Sequence, residues 1–200
     1  KYYLSLIEKI LIKCQNILKD TKPKKINVKK NELKINLDYK LNKAICEELR
    51  KTKIDIISEE NNNIFNLSIL KNKKNYWIVD PLDGSTNLLR NIPFCSICIS
   101  LVLNRKLEIS FIYDISKHDK YIAYNNKIFV NGIKKTFYRK ILNKKSSILV
   151  TGFPHKYNFK KKLVNFKKYN KIRMIGCASL SMLGCMQGNF DWYQEKNIML

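Results

Sequence analysis

Apolar residues recur at intervals of three and four from Leu4 through Ile7, Ile10, Leu11, Cys14 and Leu18, which predicts an amphipathic scaffold helix over residues 1 to about 19. A lysine-rich connector containing Pro23 follows, and Val28 to Leu37 reads as a polar loop or short strands. Helical spacing returns at Leu41, Ala44, Ile45 and Leu49, with Asp38 standing where an N-cap belongs. Ile54 to Ile57 is a short apolar strand ending in Ser58-Glu59-Glu60, and residues 61–75 predict a polar surface excursion. Trp77-Ile78-Val79 then forms a strand that delivers Asp80, Pro81, Leu82 and Asp83 into a Gly84-Ser85-Thr86-Asn87 turn, which opens a helix at Leu88-Leu89. Beyond Asn91 the pattern predicts antiparallel strands over Cys95–Leu103, Leu107–Asp114, Lys120–Asn125 and Lys127–Asn131.

Past Tyr138 the pattern changes to alternating strands and helices. Strands are expected at Ser147–Thr151 and Lys171–Ile175, a basic helix at Tyr157–Lys168, and a small-residue helix from Leu180 that Gly188-Asn189 stops before a strand opens at Phe190. The expected fold is α+β in residues 1–136 and α/β in residues 137–200.

Composition changes this picture little. A 45 % hydrophobic content is globular, and the longest apolar run, Phe94 to Leu103, is of strand length and far short of a membrane span. Net charge is +23, but only five of the 39 basic residues are Arg, and Lys is interspersed with Asn and Ile in every segment. A protein that reads a phosphate backbone clusters its charge and uses Arg, so neither a specific nucleic-acid partner nor a membrane is expected. The field would still steer anionic substrates inward. Cys95 and Cys98 resemble a redox or zinc pair, yet positions i and i+3 of a strand face opposite ways and no second pair follows. All six cysteines read as buried, reduced thiols of a cytoplasmic protein, and the N-terminus shows no signal-peptide pattern.

The chemistry concentrates at Asp80 to Asn87. Pro81 fixes φ near −65° and lacks an N–H, while Gly84 admits a conformation that a Cβ penalises, so Asp80 and Asp83 can converge instead of lying along a regular strand. Carboxylates suited to a hard cation then stand beside helix-start amides suited to an anion, the combination a metal-dependent phosphate site needs.

Together, Asp38 at a helix start, Glu59-Glu60 after a strand and Trp77-Ile-Val-Asp-Pro-Leu-Asp-Gly-Ser-Thr-Asn87 resemble the inositol monophosphatase family of magnesium-dependent phosphatases, whose central motif reads W-x-x-D-P-[IL]-D-G-[ST]-x-N. Gly176-Cys-Ala-Ser and Gly188-Asn-Phe-Asp-Trp-Tyr-Gln-Glu195 follow in family order, so the resemblance covers nearly the whole chain. It implies a layered αβαβα sandwich, with a metal-binding half over 1–136 and part of a substrate-recognition half over 137–200. Glu59, Asp80 and the Leu82 carbonyl would hold one Mg²⁺, and Asp80 with Asp83 a second. Asp38 would act through water on a third ion or on the nucleophile. Ser85 would orient the attacking water, and the Gly84 and Ser85 amides would hold phosphate. Asp83, Gly176, Cys177, Ala178 and Glu195 would contact the substrate, with Cys177 in place of a more usual Thr. The family's next motif, W-D-x-A, carries a further carboxylate and would begin near Leu200, so this carboxylate is expected beyond the sequence.

The activity so implied is hydrolysis of inositol monophosphate or a similar small polyol phosphate by water activated with two or three Mg²⁺, in a cytoplasmic, lithium-sensitive homodimer. Thr86-Asn87 resembles the inositol branch, since nucleotidase members often carry Lys-Glu there. Relatives acting on 3′-phosphoadenosine nucleotides, histidinol phosphate or fructose bisphosphate remain alternatives, as does a non-catalytic Mg²⁺- or phosphate-binding protein.

Overall fold

The computed structural model describes residues 1–29, 32–60, 73–138, 143–152 and 166–195. Helix α1 (Tyr2–Asp20) leads to a hairpin of β1 (Lys25–Lys29) and β2 (Glu32–Ile35), then α2 (Asn36–Leu49) and β3 (Asp55–Ser58). The central strand β4 (Tyr76–Asp83), the short α3 (Ser85–Leu89) and five strands follow: β5 (Ser96–Leu103), β6 (Lys106–Asp114), β7 (Asp119–Tyr124), β8 (Lys127–Val130) and β9 (Ile133–Lys135). The remaining elements are β10 (Ile148–Val150), β11 (Lys171–Arg173), α4 (Ala178–Gln187) and β12 (Trp192–Tyr193). Most of residues 61–75, the basic helix expected over 157–168 and the sequence after Glu195 fall wholly or largely outside the described residues.

Strands β3 to β9 form a seven-stranded sheet in sequence order, parallel at β3–β4 and antiparallel thereafter. The meander is closed by residues that accept positive φ, as at Asn104 (51°) with Arg105 (64°) and Asn125 (49°) with Asn126 (56°). Strand β9 was not among the strands expected from the sequence. A second sheet, in order β11-β10-β12, is parallel.

The large sheet is covered on both faces. Leu6, Ile7 and Ile10 of α1 and Leu41, Ile45 and Leu49 of α2 pack with Trp77, Ile99, Phe111 and Tyr113 on one face. Ile112, between Phe111 and Tyr113, points the other way, where it meets Leu180 and Leu183 of α4 together with Tyr121 and Cys177. Helix α4 also packs on β12, and Gly184 lies so close to the Phe190 ring that a Cβ would be 2.6 Å from it. Layers therefore run helix, sheet, helix, sheet, an α+β sandwich. Gly184 is what lets Phe190, just before β12, approach α4.

Candidate active site

Asp80 and Asp83 are separated by three residues on β4 but by two on the neighbouring strand, because Asp80 pairs with Cys98 and Asp83 with Ser96. This one-residue bulge resets the side-chain alternation. Burial alternates strictly from Tyr76 to Asp80, then Pro81 and Leu82 are both buried, and Asp83 returns to the side occupied by Asp80. Pro81 cannot donate to a ladder, and Asp80 Oδ1 accepts the Leu82 amide at 3.1 Å, which closes the bulge locally. The strand runs through Asp83, instead of ending at Val79 as the apolar run suggested.

Glu59 reaches the same place through parallel pairing. Ser58 is in register with Val79, and the Glu59 amide donates to the Val79 carbonyl at 3.2 Å, so the next step along both strands puts Glu59 beside Asp80. The two carboxyls are close enough to share a hydrogen bond. Although Asp80 as a residue is only partly buried, desolvation of its carboxyl, followed by the charges of Glu59 and Asp83, holds it well above the usual carboxylate range.

The turn after β4 requires glycine. Gly84 has φ 88°, and a Cβ there would lie 2.5 Å from the Phe94 carbonyl oxygen. The next residue, Ser85, opens α3 and donates its hydroxyl to Asp38 Oδ1 at 2.5 Å, with the Leu82 carbonyl at 3.0 Å as a second acceptor. Asp38 is 1 % exposed, and its other oxygen accepts the Ile35 amide at 2.6 Å. The N-cap expected at Asp38 is therefore corrected: α2 starts three residues earlier, Ile35 is the cap residue, and Asp38 occupies the third position and reaches back to the cap amide. Ile35 has no acceptor of its own, so this is half a capping box.

The residues expected to contact the substrate approach from the other side. Asp83 Oδ2 accepts the Ser179 amide at 2.7 Å, the Ser179 hydroxyl at 2.6 Å and the Cys177 thiol at 3.2 Å. Burial, then the Asp83 charge, pushes the Cys177 thiol far up, so it stays a neutral donor. Asn87 donates to the carbonyls of Phe94 (2.8 Å), Ile175 (2.7 Å) and Gly176 (3.3 Å), which ties α3 to the Gly176–Cys177 segment. Gly176 (φ 70°) is exposed and Ala178 is half-buried at the start of α4. Glu195 accepts the Tyr193 hydroxyl at 3.0 Å, and its carboxylate occupies the space a Cβ at Gly152 would take. Burial first, then the hydrogen bond and charge of Glu195, with Asp83 contributing, push the Tyr193 hydroxyl up.

The geometry thus joins Asp38 to Ser85, Ser85 to Leu82, Glu59 to Asp80, and Asp83 to Cys177. Ser96, Ser179, Tyr193 and Gly152 had been given no individual role from the sequence, and Asn87 only a likeness to the inositol branch. Asn87 closes the W-x-x-D-P-[IL]-D-G-[ST]-x-N motif, and Ser179 and Tyr193 stand inside the Gly176–Ser179 and Gly188–Glu195 stretches, whereas Ser96 and Gly152 carried no signal. All six cysteines are free, five buried and Cys98 partly exposed.

The donor set fits a hard divalent cation: carboxylate and carbonyl oxygens in which buried negative charges oppose one another. Among the described residues no three carboxylate, thiol or imidazole groups are drawn into a ready coordination cluster, and one Asp83 oxygen is engaged by α4.

A bulged central strand carrying carboxylates, backed by a hydroxyl on a glycine turn within a layered α+β sandwich, defines a sugar-phosphatase-type architecture. The chain belongs to the inositol monophosphatase family, whose model matches residues 3–199. It is 28 % identical over 181 residues to Nus factor SuhB of Pasteurella multocida (84 % of this chain, 64 % of that protein) and 28 % identical over 173 residues to human inositol monophosphatase 1 (80 % and 61 %). The chain therefore spans less than two thirds of the length of these relatives. In fold it is similar to the extragenic suppressor protein SuhB of Bartonella henselae (TM-score 0.83, 23 % identity, 99 % of this chain and 80 % of that one). It is also similar to an IMPase/NADP phosphatase complexed with Mg²⁺ and phosphate (TM-score 0.86, 20 % identity, 98 % and 76 %).

Proposed function

We propose that the chain forms the cation- and phosphate-binding part of a Mg²⁺-dependent phosphomonoesterase acting on inositol monophosphate or a similar small polyol phosphate. The observation that carries this reading is the convergence of Glu59, Asp80 and Asp83 at the β4 bulge with Ser85 and Asp38 directly behind. Glu59, Asp80, the Leu82 carbonyl and Asp83 would hold Mg²⁺, with two or three ions expected from family membership. When bound, the metal lowers the pKa of a water and neutralises phosphoryl and leaving oxygens.

The chain's own residues supply the rest. The single Ser85 proton is directed to Asp38, so Ser85 Oγ keeps a lone pair to accept from the attacking water and orient it. Buried Asp38 is the acceptor at the end of that relay. The Gly84 and Ser85 amides, which have no earlier turn to bond to, are assigned to phosphate. Gly176, Cys177, Ala178 and Glu195 are assigned to the alcohol, and Cys177 offers a thiol where the family more usually has a hydroxyl. On the same family grounds the assembly is a cytoplasmic, lithium-sensitive homodimer, with residues 1–136 as the metal half and 137–200 as the recognition half.

The test is phosphate release from inositol 1-phosphate, fructose 1,6-bisphosphate, histidinol phosphate and a 3′-phosphoadenosine nucleotide, with and without Mg²⁺. Mg²⁺-dependent turnover led by the inositol ester is expected; no release from any ester contradicts the reading. A second reading, a non-catalytic cation-binding protein, draws on the Nus factor name of one relative and on the engagement of Asp83 by α4. Its signature is Mg²⁺ binding with no phosphate released.

A further inference from the structure

Helix α4 begins at Ala178, and its cap residue Cys177 provides no side-chain cap to the helix. The cap comes from another part of the chain. Asp83, 96 positions earlier, accepts the Ser179 amide, the second N–H of α4, so a carboxylate of the candidate cation site also terminates a helix of the recognition half.

The Ser179 hydroxyl bonds the same oxygen at 2.6 Å, and its only proton is used there. The 2.6 Å contact between the Ser96 and Ser179 hydroxyls therefore runs with Ser96 as donor. Ser96 is fully buried on β5 and is the register partner of Asp83 across the bulge. Asp83 Oδ2 thus has three donors among the described residues, one of them anchored on the sheet that carries Asp83 itself. Nothing about capping α4 alone requires the Ser179 hydroxyl, since the amide already meets the carboxylate. The hydroxyl and its seat on Ser96 fix the orientation of Asp83.

We propose that Ser179, seated on Ser96, is a positioning residue that holds Asp83 for cation binding and couples occupancy of the cation site to the placement of the Gly176–Ala178 segment. This rests on the reading of Asp83 as a cation ligand. Coupling is reciprocal, so a substrate that orders Gly176–Ala178 also tightens the cation.

The test is calorimetric titration of Mg²⁺ into the wild-type chain, Ser179→Ala, Ser179→Thr and Ser96→Ala, with phosphate release measured in parallel. Loss of a group that orients a metal ligand weakens metal binding about 10–100-fold, and this is expected for Ser179→Ala, with a smaller loss for Ser96→Ala and recovery in Ser179→Thr. Unchanged Mg²⁺ affinity in folded Ser179→Ala overturns the proposal and leaves the hydroxyl a packing feature. If Ser179→Ala does not fold, Ser96→Ala decides, because it keeps both Ser179 bonds to Asp83 and removes only their anchor; unchanged affinity there overturns the proposal equally. A wild-type chain that binds Mg²⁺ without releasing phosphate refutes the phosphatase reading and leaves the coupling to be judged by the titrations. A wild-type chain that binds no Mg²⁺ overturns both.

Discussion

Glu48 and Asp80 are both carboxylates drawn out of water, and they keep opposite company. The Glu48 side chain is 2 % exposed and meets Lys13 at 2.5 Å, Lys51 at 2.7 Å and Lys9 at 3.2 Å. Hydrogen bonds from Lys13 and Lys51 hold it down to about 2. Asp80 meets Glu59 and Asp83, and burial with their charges pushes it up. The first group is neutralised by the fold and serves stability. The second stands among like charges in the described residues, a setting suited to a bound cation, and that difference marks a site where burial alone would not.

The comparison breaks most visibly at Asp80. Asp80→Asn is expected to reduce Mg²⁺-dependent phosphate release by more than about 100-fold, because it removes a ligand and not merely a group that orients one. Near-normal turnover would remove Asp80 from the chemistry. Ser85→Ala should cost about 100-fold through loss of the Asp38 relay while leaving Mg²⁺ affinity close to wild type, which a parallel titration of metal and rate would separate. Gly84→Ala should destabilise by about 1–3 kcal/mol in denaturant unfolding, since the new Cβ meets the Phe94 carbonyl at a φ of 88°. Glu48→Gln is expected to lower the melting temperature by about 2–4 °C with no change in rate, because its lysine partners are 44–56 % exposed and screened by water.

The sign of the pH effect at Glu48 follows from the same cluster. Its folded pKa lies below the ordinary 4.5, so its ion pairs contribute fully above about pH 4.5 and are lost as pH falls toward 2. Thermal melts across that range should show wild type losing its advantage over Glu48→Gln.

Local chemistry was legible in the sequence where one short stretch contains it. Asp80-Pro-Leu-Asp-Gly announced converging carboxylates and a glycine-dependent turn, and both are present. The bulge that makes them converge was not visible, since it depends on pairing with Ser96 and Cys98 across the sheet. Asp38 was placed at the right helix end but in the wrong role, because Ile35 is an unusual cap residue and Asn36, a favoured cap type, is already the first helical residue. Ser96 gave no signal and Ser179 only its place in the Gly176-Cys-Ala-Ser stretch, since small hydroxyl residues in a buried strand and a packed helix look like filler until a carboxylate from a distant strand meets them.

Mg²⁺ dependence of the melting temperature tests the central claim most directly. Wild-type protein should melt higher with Mg²⁺ than without, and Asp80→Asn should melt above metal-free wild type and ignore the metal, because the substitution itself relieves the opposed charges. A wild-type melting temperature indifferent to Mg²⁺, or an Asp80→Asn variant less stable than the metal-free wild type, would contradict the account.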